Sequence, residues 1–170
     1  MKNKLIFLLL AAAMLLGLLA GCGNASAPET TAPAPQMEAL DLEELYNEGI
    51  AVLNQMGDSA PVLFPETDIN YLENFYPGLS DIELKQLYAG VAPVTNAPFE
   101  IILVEVANEA DVETVKEIFQ ARADRESSDS TYPENAQAWL NNTRITSRGN
   151  YVFLAVMMGS AEIPAQFILD

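Results

Sequence analysis

The chain has 170 residues, a formal charge of −16 at pH 7, no histidine and a single cysteine, Cys22. The absence of histidine disfavours catalysis by Ser-His or Cys-His pairs and removes the commonest metal ligand, so we expect neither a metal nor a cofactor. A chain this acidic is repelled by nucleic acid and by anionic lipid headgroups, which argues against a nucleic-acid partner.

The N-terminus has the pattern of a bacterial lipoprotein signal peptide. A basic start at Met1–Lys4 leads into the uncharged apolar segment Leu5–Ala20, which is short for a membrane span. The tetrapeptide Leu19-Ala20-Gly21-Cys22 then matches the lipobox, in which the cysteine sulfur receives a lipid and the preceding peptide bond is cut. We therefore predict cleavage between Gly21 and Cys22 and lipidation of Cys22. Two alternatives stay open, an ordinary secretory peptide with an incidental cysteine and an uncleaved N-terminal anchor helix.

Lipidation of Cys22 predicts a protein anchored in the cell membrane on its extracytoplasmic face, since two acyl chains give stable anchoring. Residues 1–21 are then the signal peptide, and their removal takes away two lysines and moves the formal charge from −16 to −18. Residues 22–37 are rich in Pro, Ala, Ser and Thr and have no apolar period, which is typical of a disordered tether. Residues 38–170 fit one domain.

The first part of the domain is predicted to begin with a helix. Apolar residues at spacings of three and four over 37–56 form one stripe, and Gly57 follows as a C-terminal stop. Two prolines make residues 58–68 irregular. Ser80–Glu83 has the form of a capping box that starts a short helix. Residues 84–94 stay ambiguous between helix and strand, and an extended segment suits them better.

Two strongly apolar strands are predicted in the second part of the domain. Phe99–Val106 is continuously apolar in its middle, as expected of a strand covered on both faces, and Tyr151–Met158 has the same character. Asn108 is predicted to cap a helix that runs to about Arg125, and Pro133 fits the first turn of a short helix. The remaining elements are a strand at 142–147, a hairpin turn at 148–150 and a last short helix at 161–169.

This order of elements predicts an α+β domain: a small, mainly antiparallel sheet with helices packed on it, preceded by the signal peptide and the disordered tether. The two apolar strands are expected at central positions because both of their faces must be covered. The sequence leaves the order of the strands open.

Several short motifs follow one another in a characteristic order: Tyr76-Pro77-Gly78-Leu79-Ser80, Phe99-Glu100-Ile101, a helix end near Arg122, Tyr132-Pro133 and Gly149-Asn150-Tyr151-Val152. Behind a lipobox and a tether, this order and spacing resemble the small Gram-positive lipoproteins of domain-of-unknown-function family 4358. The resemblance covers roughly residues 40–169. It implies a location and a fold but no catalytic residues, because no activity is established for the family.

Glu100 is a candidate binding residue at the start of the most apolar predicted strand. A carboxylate there must face solvent or pair with a base, because an unpaired buried charge is costly. Arg144 and Arg148, on the predicted C-terminal hairpin, are the expected partners if the two apolar strands are neighbours. We favour an ion pair that fixes the strand register over a contact for a ligand or partner.

Tyr132 and Trp139 form a second candidate contact. They lie in and just after an aromatic-proline segment, and Trp139 is the only tryptophan of the chain. Tyrosine and tryptophan are enriched at binding hot spots, so these side chains are candidates for contact with a partner protein. The alternative, which we favour, is that they cover the edge of a small core.

Two groups of acidic residues are potential calcium ligands. Neither has the alternating pattern of a calcium loop, so the first is interpreted as the solvent face of a helix and the second as a polar loop. The groups are Asp41, Glu44 and Glu48, and Asp124, Glu126 and Asp129.

The sequence supports two hypotheses about function. The first is a lipid-anchored binding or protein-interaction module that contacts an envelope protein or a small ligand. The alternative is a carboxylate-dependent envelope enzyme acting on cell-wall glycan. A deep pocket holding two carboxylates of unlike environment would favour the enzyme, and a shallow aromatic-rimmed surface would favour the binding module.

Overall fold

The computed structural model describes residues 39–93, 97–129, 131–159 and 161–169. The predicted signal peptide, the cleavage site at Gly21 and Cys22, the lipid on Cys22 and the tether all lie outside the described residues. The helices are α1 (Leu42–Asn54), α2 (Ile69–Leu72), α3 (Val112–Ser127) and α4 (Pro133–Asn142). The strands are β1 (Phe64–Glu66), β2 (Leu84–Val91), β3 (Glu100–Val106), β4 (Arg144–Arg148) and β5 (Tyr151–Val156).

The described strands form one open antiparallel sheet in the order β1-β2-β3-β5-β4. Ile102 at the middle of β3 lies opposite Ala89 of β2 and Leu154 of β5. The predicted α+β fold with a mainly antiparallel sheet is confirmed. β3 is the central strand and β5 is its neighbour, as the continuous apolar sequence of both strands requires.

The two faces of the sheet pack against different elements because side chains alternate along each strand. On one face, Ile102 and Val104 belong to a core formed with α3 and with the segment that follows α2. On the other face, Ile101 and Leu103 pack with α1 and with Phe167 in a C-terminal 3-10 turn. The sheet is therefore the middle layer of the domain.

Helix α1 confirms the predicted apolar stripe. Asp41 caps it, and the Asp41 side chain accepts a hydrogen bond from the N–H of Glu44. Gly49 is buried in the middle of the helix, where a Cβ atom would lie 2.1 Å from Cζ of Phe167. The glycine lowers helix propensity, but it is required because the Phe167 ring occupies the space of a side chain.

The capping-box helix predicted at Ser80–Glu83 is wrong. The chain forms a 3-10 turn at Leu79–Asp81, becomes extended at Ile82 and enters β2 at Leu84. The pairing of β2 with β3 places Leu84 opposite Val106 and overrides the local capping signal. Residues 84–91 are thus a strand, which decides this part of the ambiguous segment 84–94.

The second half of the domain follows the predictions more closely. β3, α4, β4 and β5 lie at the predicted places, and Pro133 is in the first turn of α4. Asn108 caps a short 3-10 turn that leads into α3. The predicted helix at 161–169 is wrong, since only Ala165–Phe167 forms a 3-10 turn. The three-residue strand β1 lies inside the segment predicted to be irregular.

Candidate functional site

Glu100 and Arg122 form a buried ion pair between β3 and α3. Nη2 of Arg122 lies 2.8 Å from Oε2 of Glu100, and Nε lies 3.1 Å from Oε1. Each residue is 3% exposed. The two parallel hydrogen bonds are the fork geometry in which arginine binds a carboxylate most strongly.

The periodicities of a strand and a helix bring these two charges together. Glu100 lies on the same face of β3 as Ile102, because the two residues are two positions apart. Arg122 lies on the buried stripe of α3 with Val115 and Phe119, at helical spacing. Since this face of the sheet packs on this stripe, the carboxylate and the guanidinium meet at one end of the interface.

Tyr76 is the third member of the group. Its hydroxyl donates a hydrogen bond to Oε1 of Glu100, and its side chain is fully buried. The ring packs edge-on against Phe119 with the ring centroids 5.3 Å apart. Burial raises the pKa of Tyr76 well above its ordinary value, and the charge of Glu100 and its hydrogen bond raise it further. Tyr76 is therefore a neutral donor at neutral pH.

The guanidinium of Arg122 lies between two aromatic rings. Its Cζ is 5.2 Å from the ring centroid of Phe75 and 5.0 Å from that of Trp139, within the range of cation–π attraction. Arg122 also pairs with Glu126 one turn further along α3. Burial opposes the charge of Arg122, but the hydrogen bonds and charge of Glu100, with smaller contributions from its neighbours, raise the pKa of Arg122.

Tyr76, Glu100, Arg122, Glu126 and Trp139 together form what we call the buried charge cluster. Within the part of the chain that the structure describes, every buried side-chain nitrogen or oxygen has a hydrogen-bond partner. Both oxygens of Glu100 are bonded to groups of the protein itself. This is the arrangement of a structural ion pair, and it fixes α3 against the sheet.

The prediction that Arg144 or Arg148 pairs with Glu100 is wrong. Arg144 lies opposite Ala155 in β5, whereas Glu100 lies opposite the next residue, Val156. Because consecutive side chains point to opposite faces, both arginines of β4 are on the face of the sheet that Glu100 does not use. Glu100 is half of an internal ion pair, but its partner is an arginine of α3, and a role of the pair in fixing the strand register stays a prediction.

The structure separates the two predicted aromatic contacts. Trp139 is 1% exposed and packs with Ala123 and Val156 under the guanidinium of Arg122. Tyr132, at the N-terminus of α4, is 55% exposed. Trp139 therefore belongs to the core, as the favoured interpretation has it, and Tyr132 is available at the surface.

A groove of about 210 Å³ lies between α3, α4 and β4. Trp139 and Ile145 line it, and Leu140 lies at its rim with 63% of its surface exposed. On the α3 side, Gln120 donates a hydrogen bond to Asp124 at 2.8 Å. The groove thus combines an apolar lining with a polar wall.

A larger groove of about 570 Å³ is lined by residues of the α1 region and of β4, which are far apart in the chain. Its charged lining is Asp41, Glu44 and Glu48 of the α1 region together with Arg148 of β4, and Leu45 adds an apolar wall. We call it the acidic groove. Its three carboxylates outnumber the one guanidinium, so the groove attracts cationic groups.

The described residues contain neither a metal-binding cluster nor a membrane-spanning helix. No cluster of three or more carboxylate, histidine or cysteine side chains there has an arrangement that holds a metal ion. In the second acidic group, Glu126 is bonded to Arg122 and Asp124 to Gln120. None of the described helices is long and apolar enough to cross a membrane.

Sequence reasoning misses Arg122 and Tyr76 as members of the cluster. Arg122 gives a weak signal, since it occupies a position of the apolar stripe three residues after Phe119. Tyr76 stands in a recognisable Tyr-Pro-Gly motif, but the motif does not say where its hydroxyl points. Both assignments depend on contacts between elements that are far apart in the chain.

A family model described as "Domain of unknown function (DUF4358)" matches residues 66–157, more than half of the chain. The matched segment runs from the end of β1 to the residue after β5 and contains the whole buried charge cluster. No curated protein and no solved structure matches the chain at a significant level.

Proposed function

This chain belongs to the DUF4358 family, whose function is unknown, and from that premise we propose that it is a lipid-anchored binding or protein-interaction module of the cell envelope. The lipid on Cys22 anchors it in the cell membrane on the extracytoplasmic face. The lipobox at residues 19–22 and the apolar segment before it support this location. The folded domain contacts an envelope protein or a small ligand.

The observation that carries the proposal is a pair of large, exposed hydrophobic side chains, one at the N-terminus of α4 and one near its C-terminus. Tyr132 and Leu140 are 55% and 63% exposed and stand at the two ends of this helix. Leu140 also rims the groove between α3 and α4. Large apolar side chains at a groove are the usual features of a contact site for a partner, and tyrosine is prominent among binding hot spots. We call Tyr132, Leu140 and this groove the α4 surface.

The buried charge cluster does not supply the accessible carboxylates that the alternative, an envelope enzyme, requires. Catalysis by carboxylates on glycan requires two carboxylates in unlike environments that a substrate can reach. Glu100 is buried and its oxygens are bonded to Arg122 and Tyr76. The carboxylate of Glu100 therefore stabilises the fold and is not accessible to a substrate.

The anchor is tested with the variant Cys22→Ser in the producing bacterium. For the parent chain we expect membrane retention and a mature N-terminus at Cys22 that carries acyl chains, as measured by mass spectrometry. The variant should be released or should keep residues 1–21, and Ser26→Ala is the matched control that should behave as the parent. A Cys22→Ser protein that is cut at the same bond and still held in the membrane would show that the anchor is wrong.

The contact surface is tested by crosslinking in intact cells followed by quantitative mass spectrometry. We expect one envelope protein captured in stoichiometric amount by the parent chain and lost with Tyr132→Ala and with Leu140→Ser. Tyr71→Ala is the control, since Tyr71 is 44% exposed and lies on α2. Equal capture by all variants would exclude the α4 surface, and no enriched protein would direct the search to small molecules and glycans.

A further inference from the structure

The surface formed by residues 49–65 is poor in charge. Asp58 is the one charged side chain of this stretch, whereas the whole chain has 24 acidic and 8 basic residues among 170. The same stretch contains three large hydrophobic side chains that are exposed, Val52, Val62 and Phe64. This acidic domain therefore has an apolar region on its surface that is almost free of charge.

The centre of this region is the segment that leads into β1. Val62 and Phe64 are exposed, whereas Leu63 between them packs against the core that α1 covers. This alternation places Val62 and Phe64 on the same side of the segment. A groove of about 450 Å³ separates the segment from the C-terminal part of α1. Its apolar lining is Ile50, Leu53, Ala60, Pro61, Val62 and Leu63. We call residues 61–65 together with this groove the apolar edge.

The backbone of the apolar edge offers few hydrogen-bond donors to a partner. Pro61 and Pro65 have no N–H. Just beyond them, Oε1 of Glu66 accepts hydrogen bonds from the N–H groups of Thr67 and Asp68 at 2.9 and 2.7 Å. A strand of another protein therefore finds little to pair with at this edge. The same lack of free donors favours an apolar environment, where backbone groups without a partner are costly.

We propose that the apolar edge contacts the lipid bilayer in which the chain is anchored, with Val62 and Phe64 inserted between the headgroups and the acyl chains. This contact rests on the lipid anchor of the proposed function. Residues 22–38 connect Cys22 to the domain, and a chain of this length spans at most about 60 Å. The bilayer is thus always within reach, and this linkage gives even a weak apolar contact a high effective concentration.

The start of the domain lies close enough to the apolar edge for both to approach the bilayer. The N–H of Leu40 donates to the hydroxyl of Tyr151 at 3.0 Å, and Nε2 of Gln86 donates to the Leu40 carbonyl at 2.9 Å. From this fixed point α1 runs directly to Asn54, which lines the groove of the apolar edge. A helix of this length measures about 20 Å, which residues 22–38 can span.

Charge favours the apolar edge over the α4 surface for contact with lipid. The mature chain has a formal charge of −18, so anionic headgroups repel it, and they do so least where acidic side chains are sparse. At the α4 surface, by contrast, Asp124 lines the groove and Glu134 follows Tyr132 by two residues. Anionic lipid should therefore weaken the contact of the apolar edge, and salt, which screens charges beyond about 10 Å at 0.1 M, should restore it.

Fluorescence quenching in vesicles tests this contact with the full chain purified from the producing bacterium. If Cys22 is lipidated, one introduced cysteine is the only free thiol and takes a nitrobenzoxadiazole label. Val62→Cys is compared with Leu140→Cys, because both positions are 63% exposed. The labelled chains are bound to phosphatidylcholine vesicles that contain doxyl-labelled lipid and are recovered by flotation. At residue 62 we expect emission at shorter wavelength and severalfold stronger quenching than at residue 140.

A second substitution in the labelled Val62→Cys chain tests whether the apolar side chains cause the contact. Phe64→Asp should remove most of the quenching at residue 62, because a carboxylate is costly to bring into apolar surroundings. Leu140→Asp, at an equally exposed apolar position of α4, is the matched control and should leave the quenching unchanged. Addition of phosphatidylglycerol to the vesicles should lower the quenching at low salt.

The outcomes separate the apolar edge from the anchor. Equal quenching at residues 62 and 140, or none at residue 62 in chains that float with the vesicles, would overturn the apolar edge and leave the anchor unaffected. A protein partner at this surface predicts the second of these results, because the vesicles contain no protein. Quenching that persists after Phe64→Asp would also overturn the proposal. A parent chain that does not float would show that the anchor is wrong, and the bilayer contact that rests on it would be wrong as well.

Discussion

The guanidinium of Arg122 and the carboxylate of Glu100 approach to 2.8 Å in a site where both residues are 3% exposed. The interface between α3 and the sheet is otherwise built from apolar side chains such as Val104, Val115 and Phe119. An ion pair at the end of such an interface attracts the two elements and also fixes their relative orientation, because the guanidinium and the carboxylate form two parallel hydrogen bonds in only one orientation. The pair therefore sets how α3 lies on β3.

Removal of one member of this pair is expected to destabilise the domain strongly. Arg122→Met keeps the length of the side chain but leaves the charge of Glu100 buried without its partner. Loss of one partner of a buried pair costs about 3–5 kcal/mol of the free energy of unfolding. Urea denaturation followed by far-UV circular dichroism measures this value.

The double variant Glu100→Gln with Arg122→Met is the control for that prediction. It removes both charges, so it should cost less than the sum of the two single variants in a double-mutant cycle. Lys116→Met, at a partly exposed position of α3, is the matched control for loss of one positive charge from this helix. If each single variant lost less than about 1 kcal/mol of the free energy of unfolding, the pair would be no stronger than an exposed surface ion pair and the prediction would be wrong.

Tyr76→Phe isolates the hydroxyl that donates to Glu100. The ring and its contact with Phe119 stay in place, so the expected loss is about 1–3 kcal/mol from a buried acceptor that loses one donor. The raised pKa of Tyr76 adds a dependence on pH. Its contribution is complete below the unfolded tyrosine pKa of about 10 and is lost as pH rises through the higher folded pKa.

The measurement for Tyr76 is the free energy of unfolding at pH 7 and at increasing pH above 10. The parent should lose more stability than Tyr76→Phe over this interval, because only the parent has this tyrosine to ionise in the unfolded state. Tyr46 and Tyr88, whose pKa values are also raised, are present in both proteins and cancel in the comparison. Equal loss in both proteins would contradict the buried, neutral state of Tyr76.

The apolar strands could be predicted from sequence because their signal is local. β3 and β5 each present a continuous run of buried apolar residues, and this run demands cover on both faces wherever the strand lies. The capping box at 80–83 is an equally local signal, yet it gives way to the pairing of β2 with β3. Local patterns therefore predict elements well when no distant strand competes for the same backbone.

The cluster and the acidic groove could be predicted only in part, because they are made of distant contacts. Glu100 is recognisable as a carboxylate that needs a partner, but the choice of Arg122 over Arg144 depends on which face of the sheet α3 covers. The acidic groove similarly joins α1 to Arg148 across more than half the chain. In each case the sequence shows which charged side chains need a partner, but only the arrangement of helices and strands shows which residue that partner is.

Glu73 is expected to make the free energy of unfolding of the domain depend on pH in the acidic range. Its carboxylate accepts the N–H groups of Gly78 and Ser80 at 2.7 and 2.9 Å, and these bonds lower the pKa of Glu73. A lowered carboxyl pKa stabilises the fold fully above the unfolded value of about 4.3 and is lost as pH falls through the folded pKa. Glu73→Gln should therefore be less stable than the parent at pH 7, and this difference should shrink in acid. Glu117→Gln, at an exposed position of α3, controls for the loss of one negative charge and should show no such trend.

Gly49→Ala has two opposing effects on stability: it improves the helix propensity of α1 and it worsens the packing against Phe167. In an exposed helix the change from glycine to alanine would add about 1 kcal/mol to the free energy of unfolding. In α1 the new Cβ would lie 2.1 Å from Cζ and 2.6 Å from Cε1 of Phe167, so the ring must leave its place in the core. Overpacking of this kind costs about 1–3 kcal/mol, and we expect a net loss of stability and a lower Tm. The double variant Gly49→Ala with Phe167→Leu should recover part of that loss, because the shorter side chain makes room for the methyl group. A Gly49→Ala protein with a raised Tm would mean that Phe167 does not pack against α1, and that the glycine has only its local effect on the helix.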